Sequence, residues 1–121
     1  MTSRDDVATV GVSNRADVMM KEIVAESEWF QRELDVYRVA IAVALGRKLV
    51  PIPSADGRTT KFNVGTLETP SGQVAALIRT VAPEHADRPY AFSQELAEAG
   101  ILYLYQHLIE ESRPIHKVLL P

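Results

Sequence analysis

Three histidines, His85, His107 and His116, are the side chains best suited to proton transfer or metal binding near neutral pH. His107 and Glu111 stand four residues apart, which on a helix puts an imidazole and a carboxylate on one face and could fill two positions of a zinc ion. A third ligand would have to come from elsewhere, and no residue marks itself as one. His85 falls in the polar run EHADRP and His116 in the tail RPIHKVLLP. No serine sits in a G-x-S-x-G context, and Ser13, Ser71 and Ser93 read as helix caps or surface residues. Gly65 and Gly72 belong to no G-x-G-x-x-G or Walker pattern, so a glycine-rich phosphate loop is not indicated. The carboxylate pairs Asp5-Asp6 and Glu110-Glu111 are adjacent in sequence and diverge on a helix. With no cysteine there is no disulfide, thiolate zinc site or cysteine nucleophile. No catalytic set emerges, so the chain is expected to be non-enzymatic, with no cofactor and no metal.

The elements that would position these residues are read from periodicity. VATVGV, from Val7 to Val12, is short and β-branched. It predicts a strand with Ala8, Val10 and Val12 on one face and Val7, Thr9 and Gly11 on the other. Ser13 or Asn14 can cap a following helix, predicted from about Asn14 to Ser27, with Asp17 in its first turn. Trp29 and Phe30 are expected to close the end of the core. A central helix follows from Glu33 or Leu34 to around Gly46, where glycine would allow the left-handed terminal turn. Its sequence, LDVYRVAIAVALG, is apolar on nearly every side, so it must be covered by its own chain or by a second copy.

Pro51 and Pro53, the Asp56-Gly57 turn signal and the extended run Lys61 to Val64 predict a β-hairpin or paired arms. A second amphipathic helix runs from Gln73 to Ala82, stopped by Pro83. From Tyr90 a helical period continues to about Ser112. Within it, Gly100 either breaks the helix in two or meets a neighbouring backbone. The tail from Arg113 reads as a strand arm or docking peptide. The predicted fold is one domain over 1–121, mainly α with short β elements. Its parts are a core over 7–49, a hairpin or extended arms over 50–67, a helical part over 71–112 and a tail over 113–121.

The 121 residues carry 46% apolar and 24% charged side chains, an ordinary globular composition without a membrane-length apolar run. The start, MTSRDDVATV, lacks the pattern of a signal peptide, so a cytoplasmic protein is expected, with no membrane partner. The net charge of −3 is uneven. Residues 1–61 hold nine basic and nine acidic side chains, residues 62–121 four and seven, so a polyanion would meet the first half.

The order strand, capped helix, turn, apolar helix is carried by VATVGVSNRADVMMKEIVAES and LDVYRVAIAVALGRKL. It resembles the ribbon-helix-helix family of bacterial DNA-binding proteins. The resemblance implies that two chains pair their first strands into one ribbon, interlock their helices and place the ribbon in the major groove. Of the side chains on the outward face only Thr9 can hydrogen-bond to base edges, while Arg4 and Arg15 could reach phosphates. Glu28, Glu33 and Asp35 around the start of the central helix would repel phosphate there. A looser resemblance runs through WFQRELDVYRVAIAVALGRKLVPI, TKFNVGTLE and RPYAFSQELAEAG. These stretches look like small proteins that accompany bacterial DNA sulfur-modification (phosphorothioation) and related phage-defence loci. Together the resemblances imply a non-enzymatic DNA-binding or accessory protein. Its expected partners are DNA, a second copy of itself as a homo-oligomer, and larger DNA-modification or defence proteins. The alternative is a protein-protein assembly module presenting the acidic second half and the tail.

Overall fold

A computed structural model describes residues 6–53, 58–68 and 73–119. The elements are β1 (Thr9–Val12), α1 (Asn14–Glu26), α2 (Glu33–Gly46), β2 (Thr59–Asn63), α3 (Val64–Glu68), α4 (Gln73–Val81), α5 (Pro89–Leu104) and α6 (Ile115–Leu119). A 3₁₀ turn, Pro83–His85, precedes α5, and a π-helical turn, Tyr105–Glu110, prolongs it. The protein is therefore mainly helical with a two-stranded antiparallel sheet.

The core is built where α2 crosses α5. Gly100 lies on Ala40 so closely that a Cβ at Gly100 would fall 2.0 Å from the Ala40 carbonyl oxygen. Gly100 thus does not break the helix: it lets two backbones touch, the second of the two outcomes its sequence position allowed. Around this contact Val36, Tyr37, Ile41 and Ala44 of α2 meet Leu96, Ala97, Ile101 and Leu104 of α5 in one buried cluster. Burying each of the larger side chains contributes about 1.5 to 3 kcal/mol. The apolar α2 is covered on this side by its own chain. Its remaining face, with Val39, Ala42 and Gly46, borders an apolar groove of about 340 Å³ shared with Leu119.

α1 forms as its spacing dictates. Ser13 caps it, its hydroxyl accepting from the Ala16 N–H at 3.1 Å, and Ala16, Met20 and Ile23 point into the core. Other helix starts are capped from a distance. The Asp6 carboxylate accepts from the Tyr90 and Ala91 N–H groups, both at 2.8 Å, at the start of α5. Glu68 accepts from Val74 and Ala75 at the start of α4, at 2.9 and 3.0 Å. It also takes the Tyr90 hydroxyl at 2.5 Å, and burial together with this bond pushes the phenol up to about 12. Each carboxylate satisfies orphan helical donors and sits at the positive end of a helix dipole.

Several expectations are corrected by this arrangement. Among the described residues there is no mid-chain hairpin: β2 pairs with β1, Thr9 opposite Asn63 and Val12 opposite Thr59, with a bulge that skips Lys61. Residues 54–57, which hold the Asp56-Gly57 turn signal, and the Pro70 to Gly72 start lie outside the described residues. Within the chain, β2 thus occupies one edge of β1. α2 ends at Gly46, but the left-handed residue is Lys48, at φ 55°. Leu49 N–H bonds back to Ala44 O at 2.9 Å and Lys48 N–H to Leu45 O at 3.3 Å, closing a Schellman motif that buries part of Leu49. Phe30 closes the core as expected, whereas Trp29 stays 60% exposed because only one of two adjacent side chains can turn inward from that bend. Among the described residues the tail forms no strand arm but a short helix docked on its own chain. α6 buries Val118, and Arg47 donates to the Val118 carbonyl at 2.9 Å.

Candidate nucleic-acid interface

Strand β1 has two edges, and each is satisfied differently. Its outer edge pairs with β2. Along its inner edge, side chains of α2 and α5 take the place of a third strand. The Gly11 N–H donates to Gln94 Oε1 at 2.9 Å, the Tyr37 hydroxyl donates to Gly11 O at 3.0 Å, and the Ser13 N–H donates to Glu98 Oε1 at 3.0 Å. The Ser13 hydroxyl donates to Glu98 Oε2 at 2.5 Å. Gln94, Glu98 and Tyr37 are buried, and burial holds the Tyr37 phenol far above its ordinary value, so it remains a donor. At Gly11 and Ser13 this edge is therefore taken up by side chains of the same chain.

The ribbon built in this way is polar outside. Thr9 and Thr60 are exposed, as is Asn63, whose Oδ1 accepts from the Thr66 N–H at 2.7 Å. Gly11 is buried against β2, where a Cβ would meet the Thr59 carbonyl oxygen at 2.2 Å. At one end of the ribbon the Thr59 hydroxyl donates to Asn14 Oδ1 at 2.8 Å, which ties the start of β2 to the start of α1. That bond brings Arg58 and Arg15, the residues beside those two, to the same end of the molecule.

Most other cations of the first half are held within the fold. Lys61 bridges Asp17 and Glu33, both at 2.6 Å, joining β2 to α1 and α2. Burial would lower the Lys61 ammonium, but the two carboxylates hold it above its ordinary value. Burial would likewise raise the Asp17 carboxyl, yet the bonds from Lys21 and Lys61 hold it below. Arg32 pairs with Asp35 at 2.9 Å, and Arg38 donates to the Thr66 and Leu67 carbonyls. Arg15 and Arg58, by contrast, have no ion-pair partner among the described residues.

Of the residues singled out from the sequence, Thr9 and Arg15 are thus exposed on or beside the ribbon, and Arg4 lies outside the described residues. Sequence reasoning misses Arg58, Thr60 and Asn63. The polar alternation in TTKFN is their only trace, and its meaning depends on which strand β2 joins. His107 Nδ1 does lie 2.8 Å from Glu111 Oε1, but the next group is Arg113 Nη1, 3.2 Å from the same nitrogen, a cation where a metal would need a ligand. Among the described residues no three His, Asp or Glu side chains converge in a way that could hold a metal ion. His85 is stacked on Phe92, its ring 3.6 Å away. No helix among the described residues is long and apolar enough to cross a membrane. In comparisons with known proteins, the chain matches no protein-family model, no curated protein and no solved structure.

Proposed function

We propose that the protein is a non-enzymatic nucleic-acid-binding module that lays its two-stranded ribbon against DNA. Thr9, Thr60 and Asn63 face the bases or sugar edges, and Arg15 and Arg58 neutralise phosphates at one end. The observation that carries this reading is a ribbon whose outer side chains Thr9, Thr60 and Asn63 are polar and exposed, with Arg15 and Arg58, neither of them in an ion pair among the described residues, next to the Thr59–Asn14 bond at one end. A two-stranded ribbon fits the major groove, and threonine and asparagine are side chains that can read base edges there. Phosphate contacts would dominate affinity, and two arginines make that contribution small and salt-sensitive. The setting implied by resemblance, beside larger enzymes of a bacterial DNA-modification or phage-defence system, belongs to this proposal. Because the ribbon is complete in one chain, a second copy adds a second ribbon rather than half of one. Oligomerisation would then raise avidity without being required to build the surface.

A mobility-shift assay on duplex DNA at low salt tests the reading. Wild type should bind. Arg15→Ala with Arg58→Ala should weaken binding and reduce the slope of log affinity against log salt by about 0.9 for each phosphate that is no longer neutralised. Absence of any shift for wild type, or an unchanged slope in the double variant, would overturn it.

A further inference from the structure

Trp29 is the one tryptophan of the chain, and it is held in the open: its backbone N–H donates to Ser27 Oγ at 3.0 Å while 60% of its surface faces solvent. With Leu108 and Ile109 the indole lines a recess of about 170 Å³, whose rim carries Glu26, Glu28 and Arg113. The far wall belongs to the π-helical turn Tyr105–Glu110. Arg113, the rim's cation, is already drawn to His107 Nδ1 at 3.2 Å and towards Glu111 at 3.9 Å. Behind the rim, Glu22 accepts from the Tyr105 hydroxyl at 3.0 Å. That bond, with Glu110 and Glu26 nearby, pushes the Tyr105 phenol up, a sign of the same negative field.

We infer that this recess docks a basic segment of a partner protein, with an arginine or lysine side chain lying on the Trp29 indole between Glu26 and Glu28. The complementarity is electrostatic and geometric. Indole is the best aromatic face for a cation, and two exposed carboxylates beside it supply the counter-charge. A wholly apolar partner would strip water from Glu26, Glu28 and Arg113 without pairing them, which is costly. A nucleic acid would be repelled by the same acids. The site is independent of the ribbon, so one module would hold a polyanion by one surface and a basic polypeptide by the other.

Because Trp29 stands alone, its fluorescence reports on this recess directly. Titration with a short peptide of alternating arginine and glycine should change the emission saturably. Glu26→Gln with Glu28→Gln should weaken that binding by about tenfold or more. Glu84→Gln with Asp87→Asn, which removes equal charge outside the recess, should leave it unchanged. Circular dichroism checks that each variant is folded, and the Arg15→Ala, Arg58→Ala variant should bind the peptide like wild type whatever it does to DNA. No saturable change in emission would overturn the inference. So would equal weakening in the two acid variants, which would mean diffuse attraction only.

Discussion

The inner edge of β1 and the Trp29 recess treat polar and aromatic groups in opposite ways. At β1, Gln94, Glu98 and Tyr37 are buried and each is aimed at a particular backbone or hydroxyl group, so nothing is left to offer an outside molecule. At the recess Trp29, Glu26, Glu28 and Arg113 line an open space. The first arrangement belongs to stability, because a buried donor or acceptor that loses its partner costs far more than the bond contributes net. The second contributes little to stability and is free to serve binding. The α2–α5 crossing stands with the first: its backbones touch, and there is no room to adjust.

The contrast can be broken by substitution. Gly100→Val should cost the most, about 3 kcal/mol or more, or prevent folding altogether, since the new Cβ collides with backbone and not with a flexible side chain. Urea unfolding, or loss of soluble protein, would show it. Next, Glu98→Ala should destabilise by about 2 to 3 kcal/mol, because it leaves the Ser13 N–H and hydroxyl inside without an acceptor. Glu98→Gln keeps one acceptor and should lose less.

The Asp17–Lys61–Glu33 bridge gives a pH signature. The Asp17 carboxyl is held below its unfolded value, so its contribution is complete above the usual carboxylate range and is lost as pH falls through the lowered value. Lys61, held above its ordinary value, contributes fully below the usual lysine range and loses its effect only in strong alkali. Stability of Lys61→Met, followed by unfolding between neutral and acid pH, should therefore fall less steeply with acid than that of wild type. A smaller change of opposite sign is expected at Lys48. Glycine there relieves the left-handed strain, and Lys48→Gly should raise stability by about 0.5 to 1 kcal/mol in thermal melts. Smallest of all, Trp29→Ala should leave stability within about 0.5 kcal/mol of wild type while abolishing peptide binding. A large loss of stability there would erase the distinction between the two regions.

Local structure is legible from residues close in sequence. Ser13 and the three- and four-residue spacing of Ala16, Met20 and Ile23 define α1 to within a residue, and Pro83 marks the stop after α4. What escapes is decided by residues far apart. Which strand β1 pairs with depends on where β2 lands, and a polar β2 of five residues carries no mark of its partner. Lys48 takes the left-handed position because Leu49, three residues beyond Gly46, gains burial, a packing matter that outweighs the preference for glycine. Which of Trp29 and Phe30 turns inward is likewise not marked in their own sequence. Thr9 and Arg15 can be picked out as contact candidates, but Arg58 joins them only through the Thr59–Asn14 bond.

The bonds from α5 to the first strand also bear on how the protein comes to be made. Gly11 and Ser13 meet partners 83 and 85 positions further along the chain, and Asp6 caps the start of the same helix. On a ribosome the first strand emerges early, and Tyr37 of α2 can reach the Gly11 carbonyl soon after, but the Gly11 and Ser13 N–H groups meet Gln94 and Glu98 only once α5 has been synthesised. Residues 7–49 thus depend on α5 to complete the edge of their first strand, and closing that long loop is expected to slow folding.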